Sequence, residues 1–231
     1  MLPLVLLVLA QTPPGYAARE VVHEGARFQV VSLDTRSVAV SLKRDCASAP
    51  CKRLEAAKRG ALVAMNAGIF EPGLSPTGLL AVDGREVSAL NTKPGEGNFF
   101  MRPNGVFFIS PGGAPGLLTT DDFARKRPKV QHATQSGPML VHGGRLNGKF
   151  KKGSSNVNVR NAVGVKGPLV HLVLSIDEVS FHALATLFRD VLNVDDALYL
   201  DGFISELAAD GLEPARPPSH DFAAFIVATP R

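Results

Sequence analysis

The sequence has no tryptophan, only two tyrosines and only two cysteines among its 231 residues. A protein that stacks bases or sugars on an aromatic platform needs more aromatic residues, and a disulfide-rich scaffold needs more cysteines. Charged residues make up 20% of the chain and hydrophobic residues 45%, which excludes the composition of a disordered protein. Glycine and proline are abundant instead, with 22 and 17 residues. This predicts a sheet-dominated mixed fold, with many turns between short apolar strands in one domain.

The first ten residues, MLPLVLLVLA, carry no charge. A membrane-spanning helix needs about 20 apolar residues, so this stretch is too short to form one, and we expect no stable membrane span. It is typical of the apolar core of a secretory signal, with small-residue cleavage positions after Ala10 or near Ala17–Ala18. A buried first strand is the alternative. We therefore expect a signal peptide within residues 1–18, a domain over 22–229, and a secreted or periplasmic protein of the cell envelope.

Cys46 and Cys51 flank the sequence Ala-Ser-Ala-Pro. Two cysteines without further Cys or paired His make a poor zinc site. In an exported protein they are expected to form a small disulfide, which would add roughly 2 kcal/mol to stability on loop-entropy grounds. Two unlinked thiols in a loop are the alternative.

The formal net charge is +4, and the basic residues fall in short runs. No run is interleaved with aromatic residues and no nucleic-acid motif accompanies them, so we expect no nucleic-acid partner. Solvated loops are the default interpretation, and attraction for an anionic partner such as a phosphorylated glycan is the alternative. The runs are Lys43-Arg44, Lys52-Arg53, Lys58-Arg59, Arg125-Lys126-Arg127 and Lys149-Lys151-Lys152.

Local patterns predict several elements. Apolar runs at Val21–Leu33 and Ser37–Leu42 predict an opening hairpin, and Asp83-Gly84 predicts a tight turn between two strands. Apolar residues at i+3 and i+4 spacing over Phe181–Leu192 predict a helix capped by Ser180.

Five apolar strands stop abruptly at Asn, Gly, Ser, Arg or Asp. Polar groups at strand ends are held by a rigid scaffold yet reach solvent, and a neighbouring glycine lets a ligand approach the backbone. Each segment alone is also ordinary turn chemistry. The segments are Asn66-Ala67-Gly68-Ile69-Phe70, Gly97-Asn98-Phe99-Phe100, Thr134-Gln135-Ser136-Gly137-Pro138, Val159-Arg160-Asn161-Ala162 and Leu200-Asp201-Gly202.

Taken together, NAGIF, GNFF, RPNGVFF, ATQSGPML, VRNAVGV and LYLDGFIS resemble, in order and spacing, the phosphodiester glycosidase family. The resemblance runs from about residue 22 to 228. It implies an α+β fold in a single domain, with a mixed, mostly antiparallel twisted sheet and helices packed on it. It also implies hydrolysis of a sugar-1-phosphodiester, of the N-acetylglucosamine type, at the glycosidic bond. The family matches are Asn66, Gly68, Ser136, Gly137, Arg160, Asp201 and Gly202. Where the family tends to have a second glycine this chain has Phe203, and Ser205 is the nearest hydroxyl.

The chemistry of such a reaction agrees with these residue types. Positive charge develops at the anomeric carbon and negative charge on the departing phosphate. The guanidinium fork of Arg160 suits the phosphate, because it can bind two oxygens at once and stays charged. Asp201, at the end of an apolar strand, is the candidate carboxylate for the anomeric centre. A surface arginine and a simple Asp-Gly turn are the alternatives.

Glycosidases usually use two carboxylates, and the second is not obvious here. Glu178 and Glu71 are both candidates, with helix-capping surface charge as the alternative for Glu178. Together with Asn66, the residues expected to bind or orient the sugar are Gly68, Gln135, Ser136, Gly137, Asn161, Gly202 and Ser205.

Other site types lack their motifs. No G-x-S-x-G elbow, P-loop or dinucleotide fingerprint occurs, and the six histidines show no H-x-x-x-H spacing. The sequence therefore predicts no particular cofactor. A divalent cation bound by Asp201 and backbone oxygens is the alternative, without a motif behind it. The sequence predicts an exported hydrolase acting on a phosphorylated glycan or sugar phosphodiester. The rivals are a non-catalytic envelope glycan-binding domain on the same scaffold and cleavage of polysaccharide bonds without phosphate.

Overall fold

The computed structural model describes residues 12–46, 49–50 and 52–231. Most of the predicted signal peptide lies outside the described residues. So does Cys51, and with it the predicted disulfide. The first described strand begins at Tyr16, before residue 22, where the domain is predicted to start. Across the described ranges, no helix has the length and apolar character needed to cross a membrane.

The largest sheet has seven strands. In spatial order they are β1 (Tyr16–His23), β2 (Ala26–Asp34), β17 (Leu169–Ser175), β16 (Asn161–Lys166), β18 (Asp196–Asp201), β14 (Met139–His142) and β15 (Arg145–Leu146).

A second sheet has five strands and a third has four. The five are, in spatial order, β10 (Arg85–Ser88), β9 (Leu80–Val82), β13 (His132–Ser136), β11 (Gly105–Ile109) and β12 (Pro115–Thr119). The four are β19 (Leu207–Ala209), β6 (Val63–Asn66), β20 (Phe225–Pro230) and β3 (Val38–Lys43). Two small ribbons pair β4 (Asp45–Cys46) with β5 (Ala49–Pro50), and β7 (Phe70–Glu71) with β8 (Ser75–Pro76).

Helices are few and short among the described residues. They are α1 (Leu54–Lys58), α2 (Thr120–Lys126), α3 (Phe181–Thr186), which continues as a π-helical turn over Leu187–Val191, and a 3₁₀ turn at Asn98–Phe100. The predicted helix at Phe181–Leu192 is confirmed, and so is its cap, because the Ser180 hydroxyl accepts a hydrogen bond from the Ala183 amide at 3.2 Å.

The inner strands β16, β17 and β18 of the seven-stranded sheet are buried on both faces. Side chains alternate along β18, so that Leu198 and Leu200 pack into a core shared by all three large sheets. Tyr199 faces the other way, into a second core beneath α3 with Leu184 and Phe188. Packing on both faces of the sheet therefore holds the end of β18 in a fixed position.

The predicted fold class is confirmed: the fold is α+β, and the strand pairs of the described chain are antiparallel. The strands divide among several sheets rather than forming one. The turn at Asp83-Gly84 is confirmed, with both residues at positive φ between β9 and β10.

The predicted opening hairpin is wrong. Strand β2 pairs with β1 and β17, whereas β3 pairs with β20 in another sheet. The run Val21–Leu33 is itself broken at Glu24 and Gly25, both at positive φ. The first hairpin therefore turns at these two residues and joins β1 to β2. Alternation reveals a strand but not its partner, because partners are chosen by the packing of the whole sheet.

Candidate active site

Four strand ends meet at one place. Strand β6 ends at Asn66, β13 at Ser136 and β18 at Asp201, while β16 begins at Asn161. Because β16 and β18 are antiparallel, the start of one lies beside the end of the other, and Asn161 pairs with Asp201 next to a register shift. The three large sheets therefore each deliver polar residues to the same junction.

Two buried asparagines form the centre of this junction. The side-chain amide nitrogen of Asn161 donates to the backbone oxygen of Asn66 at 2.9 Å and to its Oδ1 at 3.0 Å. Asn66 Oδ1 also accepts from the Glu206 amide at 2.9 Å, so its Nδ2 must point the other way, to Asp201 Oδ2 at 3.2 Å. The neighbouring groups thus determine the orientation of Asn66, whose amide donates to Asp201.

Asp201 is the carboxylate that this network holds. Its Oδ1 accepts from the Gly202 amide at 2.7 Å, and its own amide donates to Asn161 Oδ1 at 2.7 Å. Burial raises the pKa of Asp201 to about 6, although the hydrogen bonds from Gly202 and Asn66 and the charge of His220 each lower it in part. A carboxyl group with this pKa exchanges its proton close to neutral pH, which is unusual for a turn aspartate.

Arg160 is a fully buried arginine, with a side chain that is 1% exposed. Its Nε donates to the Val179 carbonyl at 2.9 Å, and its Nη2 donates to Asn156 Oδ1 at 2.9 Å. The guanidinium carbon lies 3.8 Å from the centre of the Phe181 ring and 5.6 Å from that of Tyr199. Burial lowers the pKa of Arg160, and the facing Tyr199 opposes that shift.

Tyr199 connects Arg160 with the aspartate. Its hydroxyl faces the guanidinium on one side and accepts from Asn98 Nδ2 at 3.5 Å. A Cβ added at Gly202 would lie 2.7 Å from this hydroxyl, so any other residue there would have to displace the tyrosine. Burial raises the pKa of Tyr199 to about 12, so that it remains a hydrogen-bond donor at neutral pH.

Ser136 and Gln135 lie behind this surface. The Ser136 hydroxyl is buried and donates to the Leu200 carbonyl at 2.8 Å, one residue before Asp201. Gln135 is bound on both ends of its amide to the backbone of Asn91, at 2.9 and 2.7 Å. Ser136 thereby joins two sheets, and Gln135 also donates to the Thr120 hydroxyl at 3.1 Å.

Gly68 and Gly137 allow close packing at the same junction. A Cβ at Gly68 would lie 2.6 Å from the Gln135 carbonyl oxygen, and one at Gly137 would lie 2.5 Å from the Phe99 carbonyl oxygen. Ser205, four residues after Asp201, has a buried hydroxyl with no hydrogen-bond partner among the described residues.

We expect Gly68→Ala to lower the free energy of unfolding by about 1–3 kcal/mol, because the carbonyl it would meet belongs to backbone and cannot turn aside. Gly148→Ala is the matched control, since a Cβ there meets nothing within 4 Å. Urea denaturation of both variants checks this, and equal midpoints would contradict it.

The two predicted second carboxylates lie apart from the junction. Glu178 is exposed in the loop before α3, next to the residue whose carbonyl binds Arg160. Glu71 lies on the exposed β7–β8 ribbon, where its Oε1 accepts from the Thr77 hydroxyl at 2.9 Å. In the described structure neither carboxylate contacts Asp201.

Sequence reasoning missed Glu206, which is buried beside the network. Its Oε1 accepts from the Ser219 amide at 2.7 Å and lies 3.2 Å from His220 Nδ1, while its Oε2 is buried and finds no partner in the part of the chain that the structure describes. The available signal was its position, since it directly follows Ser205 in LDGFISE. His220 had no local signal, because a loop brings it back from 14 residues further on.

A basic cavity of about 170 Å³ adjoins the buried arginine. Its lining includes Asn156 and Phe181, both in contact with Arg160, and Lys149 and Lys151 from the basic loop. Within the part of the chain that is described, no group of three or more His, Cys, Asp or Glu side chains is arranged to hold a metal ion.

Comparison with known proteins gives a family match. A family model described as phosphodiester glycosidase matches residues 59–222. An Escherichia coli (strain K12) protein, "Uncharacterized protein YigE", is 39% identical over 151 residues, which are 64% of this chain and 58% of that protein. The present chain therefore spans less than two thirds of the length of this relative.

Two solved structures share the fold. One is the catalytic domain of zebrafish N-acetylglucosamine-1-phosphodiester alpha-N-acetylglucosaminidase, auto-inhibited by its pro-peptide. Its TM-score is 0.63 at 17% identity, covering 94% of this chain and 82% of that one. The other is a hypothetical protein from Synechocystis with a TM-score of 0.59 at 14% identity, covering 94% of this chain and 62% of that one.

Proposed function

The chain belongs to the phosphodiester glycosidase family, and from that premise we propose that it hydrolyses the glycosidic bond of a sugar-1-phosphodiester of the N-acetylglucosamine type. One observation carries the proposal. Asp201, a carboxylate with a raised pKa, lies at a strand end beside a buried cation, with the Tyr199 hydroxyl between them. Cleavage of a glycosyl phosphate needs negative charge at the sugar and positive charge at the phosphate, and this site supplies both.

Asp201 is proposed to serve the anomeric centre. In its ionised form it stabilises the positive charge that develops at that carbon as the bond to phosphate lengthens. Asn66 holds the carboxylate and Asn161 holds the backbone amide of the same residue, so little reorganisation is needed during the reaction. These asparagines are therefore positioning residues in the proposal, and so is Ser136.

The phosphate is proposed to lie on the side of Arg160. The guanidinium attracts it across the Tyr199 hydroxyl, which can donate a hydrogen bond to a phosphate oxygen. Lys149 and Lys151 extend the positive charge along the neighbouring cavity, where the alcohol portion of the diester would leave the site. Phe203, 72% exposed directly after Asp201-Gly202, offers an apolar face to the sugar.

The test is hydrolysis of the methyl diester of N-acetylglucosamine 1-phosphate in ¹⁸O-labelled water. Cleavage at the glycosidic bond places the label in the released sugar, whereas cleavage at phosphorus places it in phosphate. Label in the sugar supports the proposal, and label in phosphate overturns it. Binding of the diester without turnover would favour the rival, a glycan-binding domain on the same scaffold.

We expect the double variant Lys149→Ala/Lys151→Ala to raise KM about 3- to 10-fold at low salt with kcat little changed. Exposed charges contribute about 0.2–1 kcal/mol each and are screened as ionic strength rises. The difference from wild type should therefore shrink between 20 and 500 mM salt. Lys126→Ala, on helix α2, is the control. A KM that stays at the wild-type value at low salt would show that the basic cavity does not face the substrate.

Export to the cell envelope is part of the same proposal, and it rests on the apolar residues at the start of the sequence. Fractionation of cells that produce the full chain, with mass spectrometry of its mature N-terminus, tests it. A cytoplasmic protein that retains Met1 would refute export and leave the proposed reaction unaffected.

A further inference from the structure

A histidine and a buried glutamate form a pair beside the site. The Glu206 side chain is 2% exposed and that of His220 is 40% exposed. Glu206 Oε1 accepts from the backbone amides of Ser219 and His220, at 2.7 and 3.0 Å, and lies 3.2 Å from His220 Nδ1. The glutamate is thus held in place by backbone, and it holds the imidazole in turn.

The geometry fixes which ring nitrogen faces outward. A carboxylate can only accept hydrogen bonds, so the Nδ1 beside it carries the hydrogen. The Ser219 hydroxyl, 3.0 Å from the same nitrogen, can accept from it as well. Nε2 is then left with a lone pair, and the described residues give it no hydrogen-bond partner. This arrangement, a half-exposed imidazole oriented by a buried carboxylate, is the usual one for a histidine that acts as a base.

The pair is linked to Asp201 through Asn66. The Glu206 amide binds Asn66 Oδ1, and Asn66 Nδ2 binds the Asp201 carboxylate. His220 is also within electrostatic reach, since in its protonated form it lowers the pKa of Asp201. The other charged groups around the pair are Arg216, which faces Glu206, and Asp221, which is bound to Arg53 at 2.9 Å.

We propose that His220 Nε2 takes the proton of the attacking water and that Glu206 is the residue that positions it; this inference rests on the proposed function. The water oxygen bonds to the anomeric carbon while its proton moves to Nε2. The bond from that carbon to the phosphate oxygen breaks, and its electron pair goes to the phosphate. The phosphate monoester leaves with one more negative charge than the diester, and the imidazolium carries the balancing positive charge. This assigns the second proton-handling group that neither Glu178 nor Glu71 provides.

The test compares His220→Ala with His142→Ala. His142 forms an equivalent pair with Asp196, with 2.8 Å between Nδ1 and Oδ1, on strand β14. We expect His220→Ala to lower kcat at least about 100-fold, the usual contribution of a general base, and added imidazole to restore part of it. His142→Ala should match wild type. Undiminished kcat in His220→Ala, or a loss that imidazole does not relieve, would overturn the assignment.

The role of Glu206 is tested with Glu206→Gln, which keeps the shape and removes the charge. We expect about a 10-fold lower kcat, an unchanged KM and a displaced pH profile of kcat. Nitrogen-15 NMR of the resting protein should show the His220 hydrogen on Nδ1 in wild type and a redistribution to Nε2 in the variant. A wild-type hydrogen on Nε2 would refute the proposal, whatever the activity.

The two proposals fail in different ways. If wild type hydrolyses the diester and Asp201→Asn does not, while His220→Ala remains fully active, only the role of His220 is refuted. If wild type releases no sugar from any phosphodiester tested, the proposed function fails and the role of His220 fails with it.

Discussion

Asp201→Asn should lower kcat/KM for the sugar phosphodiester by about 10²- to 10³-fold while the protein stays folded. Asparagine has nearly the same shape but cannot carry the negative charge that stabilises the anomeric carbon, and loss of such a group costs roughly 3–4 kcal/mol of transition-state stabilisation. The amide also places a donor opposite Asn66 Nδ2, where the carboxylate accepts. Steady-state kinetics measures the loss, and circular dichroism checks the fold. Activity within tenfold of wild type would remove Asp201 from the reaction.

Comparison of wild type with Asp201→Asn also shows how the Asp201 carboxyl group contributes to stability at different pH values. Burial raises the pKa of Asp201 to about 6, above its ordinary value of 3.8, so the folded protein retains a proton that the unfolded chain releases. Wild-type stability contributed by this group is therefore greatest below pH 4 and declines as the pH rises towards 6. The stability of wild type relative to Asp201→Asn should thus rise when the pH is lowered from 7 to 4. A constant difference across this range would contradict the raised pKa.

Arg160→Met has the largest expected effect on stability, a loss of about 3 kcal/mol and roughly 6–12 °C in Tm. Methionine can still lie against the Phe181 ring, but the buried Val179 carbonyl loses its donor, and Asn156 Oδ1 loses one in a partly buried bond. Arg189→Met is the control, because that arginine is partly exposed and, among the described residues, pairs with its neighbour Asp190, so it should change stability by less than about 0.5 kcal/mol.

Inhibition by inorganic phosphate distinguishes a binding role of Arg160 from this structural role. Phosphate competes with the substrate, so its inhibition constant reports how tightly the site binds a phosphate group. At 20 °C, where folded Arg160→Met can be assayed, its inhibition constant should rise at least about 10-fold above the wild-type value. Arg189→Met should leave that constant unchanged. An unaltered constant in Arg160→Met would confine the buried arginine to a structural role.

The strand-end motifs could be found in the sequence because their residue types are visible there. Asn66, Asn161 and Asp201 each follow or open an apolar strand, and the structure brings them into direct hydrogen-bond contact. What the sequence could not show is how their atoms are used. The Asn66 side-chain oxygen accepts hydrogen bonds from the Glu206 amide and the Asn161 side chain. The buried guanidinium of Arg160 packs against the rings of Phe181 and Tyr199.

The pairing of Glu206 with His220 was hidden for a different reason. The two residues are 14 positions apart, and the contact depends on the path of a loop without regular structure between β19 and β20. Hydrophobic periodicity carries no information on such a path. The prediction of an opening hairpin was wrong for the same reason, because β3 pairs with β20, a strand near the other end of the chain.

The meeting of three sheets at one junction has a consequence for how the protein would be inactivated by heat. Asn66, Ser136 and Asp201 belong to different sheets, and the bonds between them cross from one sheet to another. Separation of any two sheets therefore pulls the site apart, and no sheet can open alone while leaving it intact. We infer that the site and the core form one cooperative unit, in which half-maximal loss of activity and half-maximal loss of structure occur at the same temperature.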